Sequence, residues 1–466
     1  MAGEVSGTRL EARQRSVCKS AICLSETPET KMQNFLGASF RSFSGRIIGA
    51  FSALVASFSI TSSLTIDESG LFFLGLGFAI FCSHILKFGL DTYVLKKCAI
   101  FLSESMRGDF LALLLSSFLI CIAGSLLFYL LSHIVQWLAV YEYSRYVVLA
   151  VPAAIAMALL GILAHSLHAT GFVFIATVTN IALNYILFSV CIWLLNPTDA
   201  VEALKYFVAS CVLALIIQVV ISVLLFLRTG FVLPELFSSG LPRADYDEMY
   251  RTAVPLWLVV ISQQLNMWGA QFVSSVYVEK ADLALLAIAM RLAMVVPMIM
   301  TSVNLVVSPQ FASLYHRGEI DKIREVLQKS LTLLGIVSLL VFATVLLFGD
   351  DLLRIFGSQY VEARVLLTVL VCGQLFNAMT GPCGRLLMMS GYEKDIRNSS
   401  IVVAVLGLCL AFVLVRFYGI YGAALATAVT VATQNLYLAY LVNSRLKISL
   451  VKIYSNILHW PSAGVR

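Results

Sequence analysis

One charged residue lies deep inside an apolar stretch of the chain. Arg291 stands about nine residues into the segment 282–306, a depth of ~13–14 Å along a helix. An ionised side chain at such a depth in a membrane is costly, and it marks a cavity, a partner or a substrate path. We therefore predict a functional role for Arg291. The alternative is a structural bond to a helix carbonyl or to another buried polar group.

Three further basic residues lie near the ends of apolar segments. Arg46, Lys87 and Arg385 are each within about one helical turn of such an end, where long cationic side chains commonly snorkel to the interface. Snorkelling accounts for each of them singly. Together they also fit a basic, cytoplasm-facing vestibule that draws in an anion through its summed field. The sequence leaves both interpretations open.

Three histidines, His84, His165 and His168, also lie inside apolar segments. Histidine titrates near neutral pH, so these side chains could carry a proton or donate a hydrogen bond to an anion. Packing histidines with satisfied hydrogen bonds are the alternative.

The apolar segments carry no carboxylate at depth, because Asp67 and Glu68 lie in a connection and Asp91 lies at a segment end. A transporter of organic cations needs a buried carboxylate to bind its substrate and its coupling ion. Arginine and lysine without such a partner attract an anion instead, and phosphate or pyrophosphate matches a guanidinium through paired charge-assisted hydrogen bonds. The spans therefore favour a phosphate-bearing substrate bound by Arg291.

Motifs of catalysis and cofactor binding are missing from the sequence. It has no Walker loop, no HExxH and no nucleophile elbow. The connections predicted to lie outside are also too short for the loop on which membrane glycosyl-transferring enzymes place their chemistry. Despite a net charge of +6, no long basic run indicates nucleic acid. We therefore predict no catalysis, metal, cofactor or nucleic-acid partner.

The elements that position these residues must be membrane helices. Of the 466 residues, 60% are hydrophobic and 12% are charged, whereas soluble domains carry roughly 25% charged residues. A helix needs about 20 apolar residues to cross a bilayer, and about twelve segments meet that length. They are 43–66, 70–90, 110–132, 146–169, 172–195, 206–227, 253–275, 282–306, 330–349, 365–389, 399–417 and 419–442.

Lysine and arginine orient the predicted spans. With the N-terminus inside, 25 basic residues lie in cytoplasmic segments or at their span ends. Six lie outside, namely Arg145, Lys205, Lys280, Arg354, Arg364 and Arg416. The positive-inside rule therefore predicts that both termini are cytoplasmic.

The two halves of the chain repeat at an offset of about 210–220 residues. The matching stretches are Glu68–Leu71 with Lys280–Leu283, Met106–Asp109 with His316–Glu319, and Ala169–Gly171 with Met389–Gly391. Halves with an even number of spans lie parallel, about an axis along the membrane normal. The repeat predicts an all-α protein of two parallel six-helix bundles around a central cavity, the architecture of an alternating-access transporter.

The predicted organisation has five parts. Residues 1–31 form a disordered cytoplasmic tail, 32–230 the N-terminal bundle, 231–251 a cytoplasmic linker, 252–442 the C-terminal bundle and 443–466 a cytoplasmic tail. Met32 directly precedes a basic amphipathic stretch. Translation could therefore start at Met1 or at Met32.

Several short stretches are typical of one transporter family. They are Ser69–Phe73, Phe88–Asp91, Ala287–Ala293, Ser308–Tyr315, Leu386–Tyr392 and Tyr418–Ala424. On these motifs the chain, from about residue 32 onward, resembles the Wzx-type polysaccharide flippases of the multidrug/oligosaccharidyl-lipid/polysaccharide (MOP) exporter superfamily. Relatives often carry an acidic residue in the seventh span, where this chain has Met267–Gln271 without one. This departure leaves the coupling ion open.

The resemblance implies a MATE-like fold, with two lobes forming a V, in the bacterial inner membrane. It implies that the protein moves an undecaprenyl-pyrophosphate-linked oligosaccharide between leaflets for O-antigen, capsule or exopolysaccharide biosynthesis. The expected partners are that substrate and membrane lipid. H+ and Na+ are candidate coupling ions, and the polysaccharide polymerase machinery is a candidate protein partner.

Two other functions remain as alternatives. A MATE-type drug or toxin antiporter shares the architecture but is disfavoured by the missing carboxylates. A membrane polysaccharide polymerase or ligase acts in the same pathway but is disfavoured by the short outside connections.

Overall fold

The computed structural model describes residues 28–104, 106–137, 143–229 and 246–458. The regular structure of these residues is helical, and ten of their helices are long and apolar enough to cross a membrane. The chain is therefore a multi-pass membrane protein. The predicted twelve spans are reached by adding the helix 246–277 to these ten and dividing the 54-residue helix 393–446 at Gly419.

The N-terminal bundle contains α1 to α8 with one π-helical turn. Its elements are α1 (Pro28–Ser63), α2 (Ile66–Leu86), α3 (Leu90–Ser103), α4 (Arg107–Trp137), α5 (Ser144–Ala169), α6 (Val173–Thr177), the π-helical turn (Val178–Ala182), α7 (Leu183–Leu195) and α8 (Ala200–Arg228). α3 lies outside the predicted spans. It follows α2 after a sharp turn in which Phe88 and Gly89 have φ of 49° and 72°, values that glycine adopts without steric cost.

The C-terminal bundle contains α9 to α15, followed by a short last helix. Its elements are α9 (Tyr246–Tyr277), α10 (Lys280–Ala293), α11 (Val295–His316), α12 (Ile320–Arg354), a 3₁₀ turn (Ser358–Ala363), α13 (Arg364–Thr380), α14 (Cys383–Met389), α15 (Glu393–Leu446) and α16 (Leu450–Leu458).

Proline and glycine divide three segments of this bundle. Pro297 has no N–H for the Ala293 carbonyl, and its ring crowds that carbonyl, so α10 ends at Ala293 and the predicted eighth span is two helices. Gly381, with φ of 60°, and the following Pro382 separate α13 from α14 inside the predicted tenth span. Gly419, with φ of 54°, separates the last two spans within α15.

Several predicted boundaries fall within helices. α1 begins at Pro28, inside the predicted N-terminal tail, and α9 begins at Tyr246, inside the predicted linker. α16 lies inside the predicted C-terminal tail. Residues 1–27 and 231–245 lie outside the described residues, and the division of the chain into five parts stays a prediction.

Candidate functional site

A cavity of about 460 Å³ lies between the two bundles. α1 lines it from the N-terminal bundle, through Ala50, Ala53 and Leu54, and α9, α10, α11, α13 and α15 line it from the C-terminal bundle. Small-molecule sites typically enclose about 300–1,000 Å³. The cavity therefore has room for a headgroup or a few sugar units.

Arg291 carries the charge in this cavity. Among the described residues that line it, Arg291 is the one with an ionised side chain. It occupies the last turn of α10 and is half-buried, immediately before the break that Pro297 causes. Because Pro297 ends α10 there, the backbone itself places Arg291 beside the cavity.

Arg291 also bridges the two bundles. Its Nη1 donates to the Ala53 carbonyl of α1 at 3.4 Å, and its guanidinium lies over the Phe73 ring of α2, 5.1 Å from the ring centre. Arg291 therefore makes a bond to a helix carbonyl, which the sequence analysis gave as the alternative to a functional role. A guanidinium has five N–H donors, so donors remain for a ligand.

Amide side chains line the same cavity in two pairs. Gln263 and Asn266 come from α9, and Gln374 and Asn377 come from α13. Asn377 Nδ2 donates to Gln374 Oε1 at 2.9 Å, and Asn266 Oδ1 is buried without a hydrogen-bond partner among the described residues. Amides both donate and accept hydrogen bonds, which suits the hydroxyl groups of a sugar.

The sequence analysis missed these amides, although a signal for them exists. Each pair has i, i+3 spacing inside an apolar segment, which places both members on one helical face. None of the described lining residues is Asp or Glu. The cavity therefore offers one cation and several neutral hydrogen-bonding groups.

Two arginines meet at the end of the bundles that is predicted to be cytoplasmic. Arg46 of α1 and Arg385 of α14 lie close enough for their charges to repel. Arg46 is half-buried, and its Nε is buried without a hydrogen-bond partner among the described residues. Arg385 is exposed, with Met388 Sδ 3.8 Å from its Nη1. His168 also lies near Arg46, so the fold brings three of the predicted groups together.

Lys87 lies apart from these arginines, and the prediction that it lines an open vestibule is corrected. Its side chain is buried inside the N-terminal bundle, 8% exposed, with its Nζ 4.0 Å from Asp91 Oδ2. The space for it is provided by Gly161, where a Cβ would lie 2.6 Å from Lys87 Cε. The turn between α2 and α3 folds Asp91 back toward Lys87, and the ion pair holds the ammonium away from the cavity.

The other two histidines accompany this ion pair. His84 and His165 act electrostatically on Asp91, and His165 Nδ1 lies 2.7 Å from the Gly161 carbonyl oxygen. Burial alone would raise the pKa of the Asp91 carboxyl. The Lys87 ammonium, His165 and the Thr92 backbone N–H outweigh burial and hold that pKa below its usual value. Asp91 is therefore ionised at neutral pH.

We expect Lys87→Met to lower the thermal stability of the purified protein strongly. Removing one partner of a buried pair typically costs about 3–5 kcal/mol, because the other charge is left uncompensated. The double variant Lys87→Met, Asp91→Asn should recover most of the loss. Because the folded pKa of Asp91 is lowered, the pair stabilises above the ordinary carboxyl range and weakens as pH falls through the lowered pKa. Equal melting temperatures for parent and Lys87→Met would contradict this pairing.

One face of α2 forms a seam with the C-terminal bundle. Gly70 approaches the Lys280 carbonyl so closely that no Cβ fits between them. Gln271 of α9 is fully buried, and its Nε2 donates to the Phe73 carbonyl at 3.2 Å. A carboxylate in place of Gln271 could not donate this bond. The geometry therefore accounts for an amide, rather than a carboxylate, at position 271.

The seam continues to the end of α2 that is predicted to be cytoplasmic. Trp257 Nε1 donates to the Ile85 carbonyl at 3.0 Å, and the Phe88 and Trp257 rings are 5.8 Å apart. At Gly89 a Cβ would collide with the Ala253 carbonyl. The bundles therefore touch along the full length of α2, and any rocking between them must open one end of this seam.

A family model and a curated protein each match part of the chain. Residues 255–413 match the MatE family model. The chain is 23% identical to the "Probable low-salt glycan biosynthesis flippase Agl15" of Haloferax volcanii over 182 residues. That alignment covers 39% of this chain and 39% of the relative, so the chain spans well under half of that protein.

Two solved structures superpose over nearly the whole chain. The lipid II flippase MurJ in an inward closed conformation has a TM-score of 0.68 at 16% identity, covering 91% of both chains. An inward-facing multidrug resistance MATE family transporter has a TM-score of 0.67 at 14% identity, covering 89% of this chain and 99% of that one. The chain has the fold of the MOP transporters. The prediction of an all-α membrane protein with a MATE-like fold is confirmed, and the cavity with Arg291 lies inside this fold.

Proposed function

We propose that the protein is a flippase for a lipid-linked oligosaccharide. The substrate is held through its pyrophosphate and is moved from the cytoplasmic leaflet of a bacterial inner membrane for surface polysaccharide biosynthesis. The observation that carries this proposal is the lining of the central cavity, which combines one guanidinium with four amides and contains no carboxylate among the described residues.

Each part of that lining has a counterpart in the proposed substrate. The Arg291 guanidinium binds phosphate oxygens through paired, charge-assisted hydrogen bonds. The amides of α9 and α13 replace water around the sugar hydroxyls. The polyprenyl tail needs no polar lining, because it remains in the lipid while the headgroup crosses. The polar lining of the cavity therefore replaces the water around the phosphate and sugar groups, which cannot enter hydrocarbon alone.

The names of two similar proteins support the same substrate class. Agl15 is described as a glycan biosynthesis flippase and MurJ as a lipid II flippase. Both descriptions concern a transporter rather than an enzyme. The finer assignment to undecaprenyl-pyrophosphate carriers and to O-antigen, capsule or exopolysaccharide units is our inference from the sequence motifs and the anion-binding cavity.

Drug or toxin efflux is the second candidate function, because residues 255–413 match the MatE family. Among the described residues that line the cavity, Arg291 is the one with an ionised side chain. A cationic drug would have to enter the cavity beside this positive charge. Like charges in a low-dielectric cavity repel strongly. The lining therefore favours the glycan flippase.

Lipid-linked sugars in a deletion strain separate the candidate functions. Thin-layer chromatography should show single repeat units that accumulate on the cytoplasmic side when the flippase is missing. A polymerase deletion would instead pass single units to the outer leaflet, and a drug-exporter deletion would leave lipid-linked sugars unchanged. Either of these two results would contradict the proposed function.

We further propose that Arg46 and Arg385 capture the substrate anion before it enters the cavity. Two like charges are held near each other without an ion-pair partner among the described residues, an arrangement that a bound anion would stabilise. The double variant Arg46→Gln, Arg385→Gln should lower initial uptake roughly thirtyfold at low salt, since each cation near a membrane surface contributes about 1 kcal/mol to attraction. The salt dependence of uptake should weaken in parallel.

The control for this prediction removes two other positive charges from the face that is predicted to be cytoplasmic. Arg317 and Lys322 are exposed and share one ion-pair partner, Glu319, at 3.9 and 2.9 Å. Arg317→Gln, Lys322→Gln should therefore leave uptake at the parental rate. Equal effects in both double variants would show that only general surface charge matters.

A further inference from the structure

A second cleft, of about 370 Å³, lies in the N-terminal bundle between the ends of α4, α5 and α8. These helix ends are predicted to face outward, opposite the end where Arg46 lies. The cleft shares no lining residue with the central cavity. Its apolar part is formed by Val148, Leu149, Pro152, Val201 and Val208.

The polar part of the cleft consists of hydrogen-bond donors. Its members are Tyr129, His133, Gln136, Arg145 and Lys205. Tyr129 and His133 lie one turn apart on α4, and both line the cleft. Their rings pack edge to face with their centres 4.6 Å apart. None of the described lining residues is Asp or Glu. A surface with several donors, two permanent positive charges and no carboxylate is suited to an anion.

The two cations in this cleft are exceptional for their face. The chain places only six basic residues at span ends that are predicted to lie outside, and Arg145 and Lys205 converge on one cleft. Both are exposed and form no ion pair among the described residues. By contrast, Arg354 pairs with Asp351 at 3.3 Å and Arg364 pairs with Asp350 at 2.7 Å. The cleft therefore brings together two cations of this face that have no ion pair among the described residues.

We propose that this cleft binds the phosphate of an anionic phospholipid. Arg145 and Lys205 contact the phosphate, and the apolar part of the cleft receives the first segment of an acyl chain. Basic pockets between membrane helices near the interface recognise lipid headgroups by this combination of charge and apolar surface. The site is separate from the transport cavity and does not depend on what the protein transports.

The test uses the purified full-length protein in mild detergent, titrated with phosphatidylglycerol or phosphatidylcholine and read by native mass spectrometry. One phosphatidylglycerol should bind the parent more tightly than phosphatidylcholine does. Arg145→Gln, Lys205→Gln should weaken that binding at least tenfold, because the charge-assisted hydrogen bonds of two cations to the phosphate are removed. Inorganic phosphate, which lacks the acyl chain, should compete at least tenfold less effectively.

A matched control variant removes two charges from the same predicted face outside the cleft. Lys280→Gln, Arg354→Gln should leave phosphatidylglycerol binding at the parental affinity. An equal loss in this control would reduce the effect to general surface charge. Parental binding in the cleft variant would show that Arg145 and Lys205 merely snorkel, and inorganic phosphate competing as well as the lipid would show a free-anion site. Each of these three results would overturn the proposal.

Discussion

Replacing Arg291 with Ala should lower transport of a pyrophosphate-linked oligosaccharide at least 100-fold at limiting substrate. Two charge-assisted hydrogen bonds to phosphate contribute about 1.5–3 kcal/mol each, and 1.4 kcal/mol corresponds to tenfold. Arg291→Lys keeps the charge but loses the planar pair of donors, so its transport should be intermediate. The measurement is surface polysaccharide in cells together with uptake by the purified variants, each at matched protein levels.

The control for Arg291→Ala is Arg416→Ala. Arg416 is also an arginine in a predicted span region, and its guanidinium lies over the Tyr277 ring, 5.6 Å from the ring centre. It is exposed and does not line the central cavity. Arg416→Ala therefore loses a charge and an aromatic contact but should retain transport. Normal polysaccharide in folded Arg291→Ala protein would remove Arg291 from the mechanism.

The second large expected effect comes from a substitution in the seam along α2, Gly89→Ala, which should change how the two bundles close. In Gly89→Ala the new Cβ would collide with the Ala253 carbonyl of α9, so the two bundles could not close at this end. Overpacking of this kind costs about 1–3 kcal/mol, which corresponds to a shift of about 5–150-fold between two conformations. We expect the variant to open the end of the seam that is predicted to be cytoplasmic.

Cysteine labelling measures this opening in a host whose other cysteines have been removed. Ala253 is 3% exposed, so a cysteine there should react slowly with a thiol reagent in the parent and several-fold faster in Gly89→Ala. Gly171→Ala is the matched control, because Gly171 also has a positive φ, 88°, but nothing lies within 4 Å of its would-be Cβ. The control carries the same kind of backbone strain without a contact between the bundles. Equal labelling in all three proteins would contradict a closing role for the seam.

Composition and periodicity predicted most of the fold, because membrane insertion imposes long apolar segments whatever the tertiary packing. Backbone breaks inside those segments were harder to predict. Pro297 and the Gly381–Pro382 pair lie within continuous apolar segments. Hydropathy alone therefore predicts one unbroken helix at each of these positions. α3 was missed for the opposite reason: it follows α2 after a turn at Phe88 and Gly89, and it is too short to register as a span.

The candidate site could be predicted in its charge but not in its neutral groups. Arg291 stands out because an arginine is rare at such depth, whereas Gln374 and Asn377 are polar residues that a packed bundle could also accommodate. Lys87 shows the limit of the approach most clearly. Its distance from a segment end suggested an exposed position, and only the folded turn reveals that Asp91 and Gly161 hold it inside the bundle.

Transport by the purified protein in sealed liposomes tests the central claim most directly. A fluorescent lipid-linked oligosaccharide with a pyrophosphate linkage is placed in one leaflet, and its transfer is followed with a membrane-impermeant quencher. We predict that the parent transfers this substrate much faster than protein-free liposomes do, and that Arg291→Ala transfers it at the protein-free rate. Transfer of an organic cation, without any transfer of the lipid-linked oligosaccharide, would contradict the flippase assignment.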